Sequence, residues 1–251
     1  MHLPDFIIGG APRSGTTWLY WMLDRHPEIY MARPVTPEPK FFLVDHVYEK
    51  GLRFYADTWF AANGDVRLAG EKTTNYLESA VAAERIARDL GRPKLIFILR
   101  EPADRAYSNY LWSRMNGLET EDLQTALQLE EQRENDLPEH LRFARPFSYF
   151  SRGLYADLLA PYFDRFPREQ ILILRFEDIG PRAESLAQRL HRFLGVSPRP
   201  DDAHGDLVIN PSEKNGTTFD EAIRRELRAR YAEPNRRLAA MLGPDFEMWQ
   251  E

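Results

Sequence analysis

Cysteine is absent from all 251 residues, which excludes a disulfide framework, a thiolate nucleophile and any cysteine-based metal site. No apolar run approaches the roughly 20 residues that a membrane-spanning helix needs. The start, Met1-His2-Leu3-Pro4-Asp5, has neither the basic head nor the long apolar centre of a secretory signal. A soluble cytoplasmic protein with no membrane association is the expectation. An excess of positive charge is also missing: 33 Lys and Arg stand against 39 Asp and Glu, for a net charge of −6. A general nucleic-acid binder needs a basic field, so nucleic acid is excluded as a partner and any anion site has to be local. Internal repeats, low-complexity tracts and a Pro/Gly/Ser linker are absent as well. Residues 1–251 therefore read as one domain, long enough to bury a substantial core.

What is present is organised around residues 5–23, DFIIGGAPRSGTTWLYWML. Phe6-Ile7-Ile8 is a short β-rich apolar run closed by Gly9-Gly10, and Trp18, Leu19, Met22 and Leu23 resume at helical spacing after a small loop. Strand, loop and helix in that order aim backbone N–H groups and a helix N-terminus at one point, which favours a phosphate. Gly10 and Gly15 bracket four residues as in a nucleoside-triphosphate P-loop. The lysine that such a loop requires after its second glycine is replaced by Thr16, and the basic residue, Arg13, lies inside the loop. An ATPase reading is weakened accordingly. A glycine-rich turn that merely packs a helix on a sheet would not call for Arg13, Ser14, Thr16 and Thr17 together.

The run Pro12-Arg13-Ser14-Gly15-Thr16-Thr17-Trp18-Leu19 resembles the 5′-phosphosulfate loop of the sulfotransferases, whose donor is 3′-phosphoadenosine 5′-phosphosulfate (PAPS). The resemblance implies that Arg13, Ser14, Gly15, Thr16, Thr17 and Trp18 bind the donor, with Arg13 also catalytic. It extends to the proline-stiffened segment Pro37-Glu38-Pro39-Lys40-Phe41-Phe42, similar to the stretch that carries the catalytic glutamate in the glycosaminoglycan-type and related bacterial branch. Pro37 stands where that branch often has lysine. Glu38 is then the implied general base and Lys40 a nearby cation. Glu71-Lys72-Thr73-Thr74-Asn75-Tyr76 resembles the segment beside the sulfuryl group, which makes Lys72 a transition-state or acceptor-side cation.

Lys94–Leu99, KLIFIL, reads as a buried parallel strand. It ends in Arg100, and Glu101-Pro102 opens a helix that carries Ser108. Arg100 and Ser108 resemble the family's 3′-phosphate pair, and the chemistry fits, because a guanidinium fork and a small hydroxyl both donate to phosphate oxygens. Arg152-Gly153-Leu154-Tyr155 is similar to the family segment that borders the nucleotide, although Tyr155 reads equally as a core aromatic. In the loop Asn210–Gly216 the resemblance implies donor contacts from Ser212, Lys214 and Asn215. His26, at a helix end before Pro27, reads as structural.

Strands near Phe6, Leu68, Lys94, Gln170 and Leu207, separated by helices, predict a three-layer α/β/α fold with a mainly parallel sheet, P-loop NTPase-like in its first loop. Among the helices, Ser79–Leu90 is expected to bury Val81, Ile86 and Leu90. Residues 118–141 read as one solvent-facing helix ending before Pro138, and Phe219–Leu242 as a last charged amphipathic helix. The implied activity is sulfuryl transfer from PAPS to a hydroxyl or amine of a small-molecule or carbohydrate acceptor, with release of adenosine 3′,5′-bisphosphate (PAP) and no metal. Two other classes stay open at this point: a P-loop-type kinase or nucleotidase, which needs ATP and Mg²⁺, and a nucleotide-binding module without catalysis.

Overall fold

The computed structural model describes residues 1–62, 64, 66–138, 142–199 and 218–249. The strand expected near Leu207 and the loop with Ser212, Lys214 and Asn215 lie outside the described residues. The chain divides into two compact units, one holding Met1–Leu99 and the segment that begins at Ala160, the other holding Arg100–Leu159 and the C-terminal helix.

The first unit contains β1 (Phe6–Gly10), α1 (Thr16–Asp24), β2 (Ile29–Met31), α2 (Asp45–Tyr48), α3 (Gly51–Trp59), β3 (Leu68–Lys72), α4 (Ala80–Asp89) and β4 (Lys94–Leu99). The other unit follows with α5 (Pro102–Met115), α6 (Leu123–Gln128), α7 (Glu130–Asp136) and the start of α8 (Tyr155–Phe163). The chain then supplies β5 (Ile171–Arg175) and α9 (Ala183–Leu194) to the first unit and α10 (Glu221–Leu242) to the second.

The five strands among the described residues are all parallel, in the order β2-β3-β1-β4-β5. Near-continuous apolar runs such as FII and KLIFIL suit strands covered on both faces. Alternation then divides them. Phe6, Ile8, Ile96, Ile98 and Leu174 pack with Trp18, Leu19 and Leu23 of α1 and with Leu186, Leu190 and Leu194 of α9. Phe97, whose side chain points to the opposite face, meets Tyr162 of α8 edge-on at 4.9 Å. From β1 the chain crosses to β2 and β3 on one side and later to β4 and β5 on the other. The carboxyl end of β1 is therefore a topological switch point, where open α/β sheets bind ligands.

Local departures from the sequence reading have local causes. β2, three residues long at the sheet edge, is too short to show a period. Residues 45–59 form two helices, α2 and α3, and the second opens on Gly51 at φ 81°. In α4 the buried face is Ala82, Ala83 and Ile86, and Val81 is exposed, since Ser79 caps the helix through the Ala82 N–H and sets its phase. Gly195, at φ 80°, closes α9 in the left-handed conformation that glycine adopts without cost.

In the second unit, Pro102 occupies the first turn of α5 and Glu101 caps it, accepting from the Asp104 N–H at 2.7 Å. Ala103, Ala106, Ala126, Tyr149, Leu227 and Tyr231 form its core. Where a single solvent-facing helix over 118–141 was expected, the described residues up to Pro138 hold the pair α6 and α7, with Leu123, Ala126 and Glu130 buried. Glu130 is drawn in because its carboxylate accepts the N–H groups of Phe150 and Ser151 at 2.6 and 2.8 Å. Among the described residues no helix is long and apolar enough to cross a membrane.

Gly70 on β3 lies opposite Phe6 of β1, and a Cβ there would be driven into the Phe6 ring. Gly70→Ala is expected to lower stability by about 1–3 kcal/mol, the usual penalty for overpacking. In urea this reads as a lower midpoint at unchanged m-value, and an unchanged midpoint would show that the ring yields without cost.

Candidate active site

The loop between β1 and α1 is built by its glycines. Gly15, the residue before α1, adopts φ 85°, and a Cβ on it would stand 2.6 Å from Ile179 Cδ1 and 2.9 Å from Phe176 Cδ2. Gly10 is equally confined, since its Cβ would meet Leu77 Cβ at 2.7 Å and the Thr74 carbonyl oxygen at 3.0 Å. Between them Arg13 holds φ 66°, a left-handed backbone that a non-glycine residue adopts at a cost. The Ala11 N–H is tied to the Ile98 carbonyl at 2.9 Å, which anchors the loop to β4. No side chain caps α1 and no acidic residue stands in its first turn. The positive end of the helix is thus left uncompensated by its own residues, with Arg13, Ser14, Thr16 and Thr17 around it. Ser14 is fully buried and its hydroxyl donates to the Pro12 carbonyl at 3.4 Å. Trp18 lies in the hydrophobic core. This set of donors suits an anionic phosphate or sulfate group.

Beside that loop, the parallel register sets Ile8 of β1 against Lys72 of β3, and the Thr73 N–H continues the ladder to the Ile8 carbonyl at 3.1 Å. Lys72 is almost wholly buried and forms an ion pair and hydrogen bond with Glu38, whose side chain is 12% exposed. Thr74 completes the hold on Glu38, donating its N–H at 3.1 Å and its hydroxyl at 3.2 Å to Oε2. A carboxylate offers about four acceptor positions, so capacity for a further proton or donor remains. Glu38 and Lys72, which the sequence places 34 positions apart, are therefore brought together. Lys40 enters this arrangement through its backbone, at φ 50°, with its N–H donated to the Thr73 hydroxyl at 3.2 Å.

Two residues that the sequence reading passed over belong here. Thr74 reaches both carboxylate oxygens of Glu38, its hydroxyl lying 3.3 Å from Oε1 as well as 3.2 Å from Oε2, and the only signal for it was its place in the Glu-Lys-x-x-x-Tyr segment. Glu71 is a fully buried carboxylate that accepts the hydroxyls of Tyr55 at 2.6 Å, Thr73 at 2.8 Å and Tyr76 at 3.1 Å. Burial, helped by the charge of Glu38, pushes its pKa up to about 7 against the opposing pull of the three hydroxyls. His26 is structural: Nδ1 accepts the Glu28 N–H at 3.2 Å, which turns Nε2–H to the Ser197 carbonyl at 2.9 Å.

In the second unit, Arg100 follows β4 directly, and its carbonyl accepts the Tyr155 hydroxyl at 2.8 Å. Tyr155 is a buried aromatic whose hydroxyl fixes the backbone of Arg100. Ser108 is nearly fully buried on α5. Arg100 lines a cleft of about 310 Å³ with Tyr107, Phe219 and Arg224 among its walls. Tyr107 and Phe219 stack in parallel at 4.3 Å, and Arg224 is paired with Asp104 at 2.8 Å. Arg224 escaped the sequence reading because it is one of many charges on α10. Among the described residues no group of three or more His, Asp or Glu side chains could hold a metal ion.

The family model described as a sulfotransferase domain matches residues 3–230. A bifunctional heparan sulfate N-deacetylase/N-sulfotransferase 2 of Bos taurus is 30% identical over 200 residues, covering 78% of this chain and 22% of the relative. A heparan sulfate glucosamine 3-O-sulfotransferase 3A1 of Mus musculus is 29% identical over 275 residues, covering 98% of this chain and 64% of the relative. The chain thus spans about a fifth of the first of these relatives and under two thirds of the second. Among solved structures, a sulfotransferase from Alicyclobacillus acidocaldarius is 26% identical with a TM-score of 0.76, covering 96% of each chain.

The buried carboxylate has a measurable signature. Between pH 4.5 and about 7 the folded chain keeps a proton on Glu71 that the unfolded chain has lost. Stability therefore falls as pH rises through that window, by an upper bound of about 3 kcal/mol, and levels off above it. Urea midpoints measured from pH 4.5 to 8 should show this decline in the wild type and a weaker one in Glu71→Gln. Parallel curves would place the burial penalty elsewhere.

Proposed function

Given that the chain belongs to the sulfotransferase family, we propose that it moves a sulfuryl group from PAPS to a hydroxyl or amine of a carbohydrate acceptor and releases PAP. The observation that carries the reading is the Glu38 carboxylate held by Lys72 and Thr74 next to the anion-binding loop, with β1 and β3 paired beneath both. One family model spans segments of both units, which supports residues 3–230 acting as a single catalytic domain. The heparan sulfate relatives support a carbohydrate as the acceptor class. A cytoplasmic location is part of the same reading.

PAPS supplies, when bound, the sulfuryl group and a phosphate leaving group. The chain's own residues then have separable tasks. Glu38 takes the proton as the acceptor O–H or N–H bond breaks and the new bond to sulfur forms. Arg13 and the N–H groups of Ser14–Thr17 stabilise the negative charge left on the departing phosphate oxygen as the old S–O bond breaks. Lys72 keeps the Glu38 carboxylate in place before the transfer and, as the proton arrives there, is released to balance charge on the sulfuryl oxygens. Positioning and electrostatics of this kind carry most of the catalysis in the related phosphoryl transfers. Arg100 and Ser108 are assigned to the 3′-phosphate, with Tyr155 fixing Arg100.

The activity itself is tested by incubating the protein with PAPS and a chemically desulfated heparan oligosaccharide and looking by mass spectrometry for a gain of SO₃. Glu38→Gln keeps the size of the side chain and removes the proton acceptor. Its kcat should fall by about 10²–10⁴ with PAP affinity within a few fold, and near wild-type turnover would place the base elsewhere. Arg100→Ala should weaken PAP by about ten- to a hundredfold, the equivalent of one or two charge-assisted hydrogen bonds. Adenosine 5′-phosphosulfate, which lacks the 3′-phosphate, should lose far less in the same calorimetric titration. Equal losses for the two ligands would remove Arg100 from the 3′-phosphate site.

A further inference from the structure

The segment that presents Glu38 is held from behind by one buried carboxylate. Three consecutive residues downstream of Glu38 each meet a hydroxyl-bearing side chain: the Lys40 N–H donates to Thr73 Oγ1 at 3.2 Å, the Phe41 ring stacks on Tyr55 at 4.4 Å, and the Phe42 N–H donates to the Tyr76 hydroxyl at 3.2 Å. Those three hydroxyls converge on Glu71, with Tyr55 and Tyr76 donating to Oε1 and Thr73 to Oε2. A hydroxyl has one proton. By drawing that proton toward itself, Glu71 leaves the lone pairs of Thr73 and Tyr76 facing the amides of Lys40 and Phe42. The strand does the rest, because Glu71 and Lys72 are adjacent on β3 and point to opposite sides. One holds the segment, and the other pairs with Glu38.

We propose that Glu71 is a positioning residue for sulfuryl transfer: through Thr73, Tyr55 and Tyr76 it fixes residues 40–42 and so sets the place of the Glu38 carboxylate against Lys72 and Thr74. The proposal rests on Glu38 being the base. Folding stability does not account for a carboxylate here, since its burial raises its pKa and makes the ionised form a cost to the folded chain. All the residues concerned lie within the first unit. The interaction is indirect: Glu71 has no exposed surface from which to touch a substrate.

Two disruptive variants and one that restores the hydroxyl probe it. Glu71→Gln keeps the shape but replaces one acceptor oxygen with a donor NH₂, which forces at least one hydroxyl to turn. Thr73→Val removes a hydroxyl and keeps the volume, and Thr73→Ser restores it. Each disruptive variant should lower kcat on the desulfated heparan oligosaccharide by roughly 10- to 100-fold, the scale of a misplaced catalytic group, with acceptor KM and PAP affinity changed by less than about threefold. Thr73→Ser should recover most of the rate. Hydrogen exchange in the free protein gives a readout independent of donor and acceptor: the Lys40 and Phe42 amides should lose protection in Glu71→Gln, while amides of β1 and β4 keep theirs. In a Glu38→Gln background, Glu71→Gln should cost little further rate, because it acts through a base that is no longer there. An equal loss in both backgrounds, or unchanged exchange at Lys40 and Phe42, would overturn the proposal. Near wild-type turnover by Glu38→Gln alone would also overturn it, by a recognisably different result that removes the base assignment first.

Discussion

The ion pair between Lys72 and Glu38 is the interaction around which the candidate site is arranged. Each charge is almost entirely removed from water, and neither could stay there without the other, because an uncompensated buried charge costs several kcal/mol. The pair exists only because β3 runs parallel to β1 in a register that sets Lys72 beside Ile8. That register also brings Thr74 under Gly10, where there is no room for a side chain on the glycine. The glycine-bounded loop, Lys72 and Glu38 are thus brought together by one strand pairing. A shift by a single residue would send Lys72 to the wrong face of the sheet and dissolve the site.

The polar chemistry extends inward from that pair. Lys72 and Thr74 hold the carboxylate directly, and Glu71 with its three hydroxyls holds the chain that carries it. Such a network is costly unless every member is satisfied. Here each hydroxyl donates to Glu71, and two of the three accept a backbone N–H in return. Aromatic packing encloses it: Phe41 and Phe42 both contact Tyr55, and Phe42 lies edge-on to Tyr76. The proline-rich segment is therefore rigid for two reasons, its own restricted backbone and a buried anchor. The second unit applies a similar device to a different residue. Tyr155, buried and aromatic, uses its hydroxyl to hold the carbonyl of Arg100, so the guanidinium projects from a fixed point on the chain.

By itself the sequence determined the features whose causes are local. Continuous apolar runs marked β1, β4 and β5 because strands covered on both faces have no polar side. Glycines at 10 and 15 around Arg13 and Ser14 marked the loop, since no other residue fits those turns. Pro102 marked the start of a helix. Glu38, Lys72 and Arg100 were legible because short segments around them resemble those of a known family. Only the tertiary structure decided what depends on distant residues meeting. It set the three-residue edge strand β2, which is a strand because β3 is beside it, and the two helices α6 and α7 in place of one, with Glu130 accepting backbone N–H groups from Phe150 and Ser151. It also joined Glu38 to Thr74, 36 positions away, and gathered Tyr55, Thr73 and Tyr76 around Glu71. A hydroxyl or a carboxylate carries no mark in the sequence of which partner it will face; that is settled when the sheet and the segments packed on it close over the charge.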